Sequence, residues 1–319
     1  STQAKTLFPY TTLFRSALIK KIQTTVDNSG VETAVGSTDT PSGLGKINVW
    51  VDSETDNLAR RAYGGDLLGN LWRFDFSDEI EPKGKALRLA QLQVSTTKSG
   101  VTTTKVQPIT VRPELAEISY GGGKHAVVLV GTGRFLGQTD MSDTQTQSIY
   151  AIADPLTSTG WGDVRANERL IRQSLVTGSD GKTRTIATPV NQVRWGTDLG
   201  WGIDLPSSKE RVAIDMSLQY NTLAAVSAVP EGTACAPTGT SWIYFLSVLN
   251  GATAVKQQYA GEQISSGLGT GITWLDLGGG KSTVLVPDNR MGIHTKTPPI
   301  GGAAPPGAVR RTSWRELID

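Results

Sequence analysis

The residue types and spacing best suited to chemistry in this sequence lie in an acidic loop that starts at Asp52. The carboxylates of Asp52, Glu54 and Asp56 occupy loop positions 1, 3 and 5, from which oxygen ligands can converge on a hard cation. Leu58 at position 7 would offer its backbone carbonyl oxygen, as in loops of the EF-hand type. Asn57 at position 6 suits the left-handed backbone often needed there. The loop is therefore a candidate calcium site.

Two residues that follow argue against tight metal binding by this loop. Position 9 is Arg60, a cation where an acid or a water molecule is expected, and position 12 is Tyr63 in place of the bidentate glutamate. Acidic turns between strands are also common without any metal. From the spacing alone, a calcium loop and an ordinary acidic turn both stay open.

Other catalytic and ligand-binding motifs are missing from the sequence. One cysteine, Cys235, and two histidines cannot form a Cys/His zinc site. If the protein is exported, Cys235 is either free or has lost its partner to truncation. The glycines at 278–280 end like a phosphate-binding loop, but Leu275 stands where the first glycine is required. The turn at 131–133 lacks the helix of a dinucleotide site, and no Gly-x-Ser-x-Gly motif occurs.

Composition and charge exclude several classes of protein. Charged residues make up 19% of the chain and the net charge is +2, which leaves no electrostatic footprint for a nucleic-acid partner. No apolar run is long enough for a membrane span. Glycine is abundant at 36 residues, and Trp (8) outnumbers Phe (6). This balance is typical of short strands joined by glycine turns.

Period-2 alternation predicts an all-β chain. In residues 71–76, Trp72, Phe74 and Phe76 share one face of a strand, with Arg73 and Asp75 on the other. Helical periodicity is confined to residues around 165–176. Further strands are predicted at residues 60–63, 126–130, 148–154, 242–246 and 283–286.

A degenerate repeat favours a β-propeller over a β-sandwich. Residues 69–75, 147–154 and 239–246 each place a polar turn before a strand that contains an aromatic residue. Propeller blades carry periodic glycine and aromatic motifs of this kind. The Thr/Ser-rich residues 95–106 are predicted to form exposed edge strands and their turns.

The two ends of the chain are interpreted separately from the strands. Residues 6–16 match the in-frame translation of a common sequencing adapter, so residues 1–16 are interpreted as a non-native leader. Residues 17–300 are predicted to form the blades and residues 301–319 a C-terminal tail. The basic end of this tail, residues 310–317 with Trp314, either binds a partner or packs back on its own domain.

Ordered blocks of the sequence resemble the C-terminal propeller domain of PilC/PilY-type type IV pilus proteins. The resemblance is carried by the acidic loop with residues 63–75, YGGDLLGNLWRFD. Further blocks agree in the same order along the chain, at residues 36–44, 130–137, 142–150, 200–206, 210–212, 239–242 and 310–317.

This resemblance implies a quinoprotein-like propeller within a large exported protein at the pilus tip, at the cell surface or associated with the outer membrane. Such proteins act with minor pilins, promote pilus assembly, oppose retraction, and contribute to twitching motility and to adhesion to host or abiotic surfaces. They are not enzymes. Because the family's propeller is longer than this chain, we expect an N-terminally truncated, partial propeller that holds only the later blades.

The family's calcium loop has acids at positions 1, 3, 5 and 9. Asp52, Glu54 and Asp56 match it, with Leu58 as the carbonyl donor, whereas Arg60 departs from the family acid. We therefore expect weakened or lost calcium binding, unless a nearby acid such as Asp66 compensates.

Two other functions stay open. Propellers with similar blade motifs bind pyrroloquinoline quinone beside calcium and act as dehydrogenases, although those with a vicinal disulfide need adjacent cysteines. A generic cell-surface binding propeller outside pilus biology is the other alternative.

Overall fold

The computed structural model describes residues 20–28, 31–52, 58–233, 236–254, 257–264, 267–278, 281–298 and 309–311. Within these ranges the chain folds into twenty-three β-strands and one short 3-10 turn, Gln138–Ser142. None of the described residues forms a helix long and apolar enough to cross a membrane. The predicted all-β class is confirmed.

The strands follow one another with short connections. The first eleven are β1 (Thr25–Asn28), β2 (Val31–Ala34), β3 (Ile47–Val51), β4 (Ala59–Gly65), β5 (Asn70–Asp75), β6 (Ala86–Gln91), β7 (Gln93–Lys98), β8 (Val101–Val106), β9 (Glu114–Tyr120), β10 (Gly123–Gly131) and β11 (Ser148–Asp154). The other twelve are β12 (Leu170–Gln173), β13 (Leu175–Thr177), β14 (Thr183–Ile186), β15 (Gly200–Asp204), β16 (Ser217–Gln219), β17 (Thr222–Thr233), β18 (Ala236–Ser247), β19 (Gly261–Ile264), β20 (Thr273–Gly278), β21 (Lys281–Pro287), β22 (Ile293–Lys296) and β23 (Val309–Arg311).

Four antiparallel sheets of the described chain are arranged as propeller blades. Blade one is β3-β4-β5-β6, and blade two is β9-β10-β11-β15 with β12 added in parallel to β15. Blade three is β16-β17-β18-β19, extended by β14 and β13, and blade four is β20-β21-β22. The short strand β23 pairs with the free edge of β9 and so joins blade two.

The repeat predicted from the sequence marks the same place in three blades. Residues 69–75, 147–154 and 239–246 fall on β5, β11 and β18, each of which is the third strand of its blade. The propeller prediction is thus confirmed, because the described strands form separate small sheets and not the two layers of a sandwich.

Apolar side chains fill the space between neighbouring blades. Trp50 and Leu71 of blade one pack with Val128 and Ile152 of blade two. A second core joins blade two to blade three, and a third joins blade three to blade four. Each interior sheet is covered on both faces, which explains why its strands are apolar along almost their whole length.

The outer face of blade one is covered by the chain that precedes it. Trp72 and Phe74 of this face pack against Ile22, Val26 and Val35 of the β1–β2 hairpin region. This hairpin therefore closes one end of the stack of blades.

Two other elements test the sequence predictions. The prediction of helical periodicity around residues 165–176 is wrong: β12 and β13 form there, because Leu170 packs into the core between blades one and two while its strand pairs with β15. Residues 95–106 lie within an exposed β7–β8 hairpin, as predicted.

Candidate functional site

The acidic loop lies between β3 and β4, and the structure describes only its two ends. Glu54 and Asp56 lie outside the described residues. Asp52 directly follows β3, and the exposed Leu58 directly precedes β4. The convergence of the predicted ligands is therefore not part of the observed geometry.

A β-bulge in blade one directs two arginines at Asp52. Trp50 pairs with Arg61 and Val51 with Ala59, so that Arg60 is the extra residue. A bulge of this kind redirects side chains at the end of a strand. Its effect here is that both guanidinium groups approach one carboxylate.

The carboxylate of Asp52 is already engaged by these cations. Its Oδ2 lies 3.3 Å from Nε of Arg60, its Oδ1 lies 3.3 Å from Nη1 of Arg61, and Trp50 Nε1 donates to Oδ1 at 2.7 Å. Arg60 also pairs with Glu79. Two positive groups thus lie beside the first of the predicted ligands.

Asp66, named above as a nearby acid that could compensate for Arg60, stabilises the turn between β4 and β5. Its Oδ1 accepts the backbone N–H groups of Leu68 and Asn70 at 3.0 and 2.8 Å, and its Oδ2 accepts Nε1 of Trp72 at 2.8 Å. The residue is buried. Within the described ranges, no three His, Cys, Asp or Glu side chains gather in a way that could hold a metal.

The buried charges of the molecule are used to join and fill blades. Between blades one and two, Asp154 accepts Tyr63 Oη at 2.7 Å and Arg73 Nη1 at 2.6 Å. Arg73 also donates to the carbonyl oxygens of Glu81 and Thr157. Burial, and then the charge of Asp154, raise the pKa of Tyr63 well above its ordinary value, so the phenol stays a proton donor.

Blade two contains a second polar network, which is partly open to water. Arg165 reaches Asp204 at 2.6 Å, Ser148 donates to the same carboxylate at 2.6 Å, and Tyr150 donates to Gln107 at 2.7 Å. Burial acts to raise the pKa of Asp204, but the hydrogen bonds from Arg165 and Ser148 outweigh it, and the pKa lies below its ordinary value.

Blade three repeats this chemistry in a closed setting. Glu210 accepts Arg184 Nη1 at 2.7 Å, Tyr244 Oη at 2.6 Å and Ser227 Oγ at 2.5 Å. The guanidinium of Arg184 lies 3.5 Å from the ring centroid of Trp242. Burial, and then the charge of Glu210, raise the pKa of Tyr244 well above its ordinary value. This carboxylate is enclosed by its donors and faces no substrate space.

The tyrosines of blades two and three occupy matching positions over glycines. Tyr150 is the register partner of Gly202, and Tyr244 is the register partner of Gly261. A Cβ at Gly202 would lie 2.8 Å from Tyr150, and one at Gly261 would lie 2.6 Å from Tyr244. Neither network was predicted from the sequence. The Ile-Tyr pair that recurs at residues 149–150 and 243–244 is the sequence signal that could have indicated them.

A cavity of about 640 Å³ lies between the β10–β11 loop, β17 and the segment before β20. Apolar side chains dominate its lining, among them Phe135, Leu136, Met141, Ile214 and Leu268. Among the described residues, none of the side chains that line this cavity is charged.

These contacts define a β-propeller in which one buried ion pair joins blades one and two and two others lie within blades two and three. A family model described as the PilY1 beta-propeller domain matches residues 15–182, more than half of the chain. The chain belongs to this family.

Curated relatives and one solved structure agree with this assignment. A type IV pilus biogenesis factor PilY1 homolog of Xylella fastidiosa (strain Temecula1) is 27% identical over 298 residues, which cover 87% of this chain and 22% of the relative. PilY1 of Pseudomonas aeruginosa (strain UCBPP-PA14) is 26% identical, over 63% of this chain and 21% of the relative. The chain thus spans about a fifth of these relatives.

The crystal structure of the Pseudomonas aeruginosa PilY1 C-terminal domain matches with a TM-score of 0.59 and 20% identity, over 84% of this chain and 63% of that domain. At this identity the match establishes the fold, and the β-propeller architecture expected from the sequence is confirmed.

Proposed function

We propose that this chain is the propeller portion of a type IV pilus biogenesis factor that is exported and acts at the pilus tip. In this role it promotes pilus assembly with minor pilins, opposes retraction, and supports twitching motility and attachment to host or abiotic surfaces. The observation that carries the proposal is the family match over residues 15–182, which hold blade one and the first three strands of blade two, together with the names of the curated relatives.

The proposed role is that of a scaffold rather than an enzyme. Supporting this, the buried acids Asp154 and Glu210 are both enclosed by guanidinium and hydroxyl donors within or between blades. A general acid or base must instead reach a substrate proton in an open site. Turnover of an alcohol or aldose that depends on added pyrroloquinoline quinone would contradict this part of the proposal.

A domain exchange tests the pilus role. Residues 20–311 would replace the matching region of the Pseudomonas aeruginosa relative in a strain that lacks its own copy, and sheared surface pili and twitching zones would be measured. We expect restored pili, whereas a chimera that is exported at the normal level but yields none contradicts the proposal. Capture of minor pilins by the chimera separates this role from that of a surface-binding propeller unrelated to pili.

We also propose that calcium control of this propeller is weakened or lost. The supporting observation is the position of Arg60 and Arg61 beside Asp52, the first of the expected ligands. A divalent ion would meet two guanidinium charges at this carboxylate, and like charges at such distances repel.

Calorimetric calcium titration of the chain tests this proposal with two substitutions at one position. Arg60→Gln removes the cation, and Arg60→Asp also adds a ligand at position 9. We expect no binding in the unsubstituted chain and the strongest gain with Arg60→Asp. Micromolar binding before any substitution would show that the three acids suffice despite Arg60.

A further inference from the structure

The β7–β8 hairpin connects blades one and two and presents two faces of different chemistry. Ser99 and Gly100 close it with φ angles of 50° and 80°, as the tight turn of a two-residue hairpin requires. Six residue pairs then follow in continuous antiparallel register. Because side chains alternate between the two faces of a strand, one face carries Val94, Thr96, Lys98, Val101, Thr103 and Lys105. We call it the lysine–threonine face.

The opposite face of the hairpin uses its hydroxyl groups internally. Ser95 Oγ lies 2.8 Å from Thr104 Oγ1, and Thr97 Oγ1 lies 2.9 Å from Thr102 Oγ1. Hydrogen bonds between hydroxyls that face each other across two strands stabilise the hairpin itself. The polar groups of this face are therefore explained by the hairpin alone.

The polar groups of the lysine–threonine face have no such partners. Thr96 and Thr103 are register partners, but their hydroxyls form no hydrogen bond with each other or with any other residue that the structure describes. The ammonium groups of Lys98 and Lys105 likewise form no ion pair with a described residue. All four residues are exposed. This face thus presents hydroxyls and cations that the hairpin does not use.

A cavity of about 490 Å³ lies between the lysine–threonine face and residues 144–146. Gln145 holds this segment against the base of the hairpin, because its Nε2 donates to the carbonyl oxygen of Val106 at 2.7 Å. Among the described residues that line the cavity, only Lys98 and Lys105 are charged. The cavity is therefore polar and positively charged.

The spacing of the two cations indicates an extended ligand. Lys98 lies at the turn end of the hairpin and Lys105 at its base, four residue steps or about 14 Å apart along the ribbon. The pair of Thr96 and Thr103 lies between them. A ligand that spans the face would therefore meet a cation, two hydroxyls and a second cation.

The chemistry of the lining favours an acidic saccharide over other anions. The described lining residues include no arginine to bind a phosphate through two parallel hydrogen bonds, and no aromatic ring on which a nucleobase could stack. A peptide that joins a hairpin by strand addition uses backbone groups at an edge, whereas the unused groups here are side chains on a face. Hydroxyls and ammonium groups together suit a polyol that carries carboxylates.

We propose that the lysine–threonine face and residues 144–146 bind a polysaccharide rich in uronic acids. Its carboxylates pair with Lys98 and Lys105, and its hydroxyls bond to Thr96 and Thr103. This inference goes beyond the proposed pilus role and does not depend on it, because the binding needs no pilus. A failure of this site would leave the domain exchange described above free to succeed.

Binding of polygalacturonate fragments to the 319-residue chain, measured by biolayer interferometry, tests the proposal. Neutral dextran and polyglutamate serve as comparison probes for uncharged saccharides and acidic peptides. The double substitution Lys98→Ala with Lys105→Ala removes the cations of the face. Lys182→Ala is the charge control, since Lys182 is an exposed lysine beside β14 in blade three.

The two faces of the hairpin supply a matched control for the hydroxyls. Thr96→Val with Thr103→Val removes one register pair of hydroxyls from the lysine–threonine face, and Thr97→Val with Thr102→Val removes the neighbouring pair from the opposite face. Valine keeps the shape and the strand preference of threonine. Urea unfolding of every variant shows that the fold is retained.

We expect the unsubstituted chain to bind polygalacturonate and not dextran. The affinity should fall about tenfold in the double lysine variant, which loses two exposed ion pairs. It should fall about threefold in the variant at Thr96 and Thr103, which loses two hydroxyls. The charge control and the opposite-face variant should bind as the unsubstituted chain does.

Several results would overturn the proposal. The first is an absence of polygalacturonate binding by the unsubstituted chain. Equally tight binding of polyglutamate would identify a general site for acidic chains, without recognition of the saccharide. An equal loss of affinity with Lys182→Ala would show that net charge alone is responsible. An equal loss with the opposite-face variant would show that the hydroxyls of the lysine–threonine face have no specific role.

Discussion

Blades two and three build the same polar network with different access to water. Each network joins an arginine, an acid, a tyrosine over a glycine, and a serine. In blade three the side chains of Arg184 and Glu210 are 1% and 0% exposed, whereas Arg165 and Asp204 in blade two are 14% and 33% exposed.

This difference in exposure should make the two networks respond differently to the loss of a partner. A fully buried ion pair depends entirely on its internal partners, because water cannot solvate a charge that loses its counterion. A half-open pair can replace a lost partner by water and so contributes less. Substitutions in the network of blade three should therefore lower the free energy of unfolding more than matched substitutions in the network of blade two.

The largest effect is expected from Glu210→Gln. This substitution leaves the guanidinium of Arg184 buried without a countercharge, which costs about 3–5 kcal/mol. Urea unfolding of the substituted and unsubstituted chains measures the loss. The matched change Asp204→Asn in blade two should cost clearly less, and equal losses would contradict the comparison. The apolar pair Arg184→Met with Glu210→Leu should recover part of the stability, because it removes both buried charges.

A smaller effect is expected from adding one methyl group beneath the tyrosine rings. Gly261→Ala places a Cβ 2.6 Å from Tyr244, and Gly202→Ala places one 2.8 Å from Tyr150. Forcing an extra carbon into a packed site costs about 1–3 kcal/mol. We expect the greater fall in the thermal midpoint for Gly261→Ala, since its tyrosine is fixed by Glu210. A larger fall in the thermal midpoint for Gly202→Ala would show that the network of blade two is the more rigid one.

The contribution of Asp204 should depend on pH. Its pKa is depressed in the folded state, so the stability that it contributes is present above the unfolded value of about 3.9 and is lost as the pH falls through the lower folded value. The difference in unfolding free energy between the unsubstituted chain and Asp204→Asn should therefore shrink as the pH falls below about 4. Denaturant titrations at several pH values measure this, and a difference that grows on acidification would refute the assignment.

The smallest effect is expected from Arg172→Ala. Arg172 reaches Asp204 at 2.7 Å from the solvent side, and exposed pairs of this kind contribute about 0–1 kcal/mol. The change should leave the unfolding midpoint nearly unaltered. A loss as large as that of Arg165→Ala would mean that the rim of this network is as important as its interior.

Much of the fold could be predicted from the sequence, because local pattern determines it. Residues 69–75, 147–154 and 239–246 predicted a recurring strand from their turns and aromatic residues, and the structure places this strand third in three blades. The buried arginines could not be predicted, since Arg73 meets Asp154 and Arg184 meets Glu210 only after distant segments pair. For the same reason, residues 170–173 look helical alone but pair with β15 in the fold.

The metal site stays a prediction, because Glu54 and Asp56 lie outside the described residues. The spacing of Asp52, Glu54 and Asp56 indicated a metal loop, and the sequence also showed that Arg60 breaks the family pattern. The sequence did not indicate that Arg61 would join Arg60 at Asp52, because this depends on the bulge between β3 and β4.

The pairing of β23 with β9 has a consequence for synthesis of the chain. A polypeptide that emerges from its N-terminal end completes the edge of blade two only when Val309 reaches Ile118. Until then the edge of β9 presents unpaired N–H and C=O groups that another chain can join. A premature stop before residue 309 would therefore leave blade two with an aggregation-prone edge even though its four main strands have all been made.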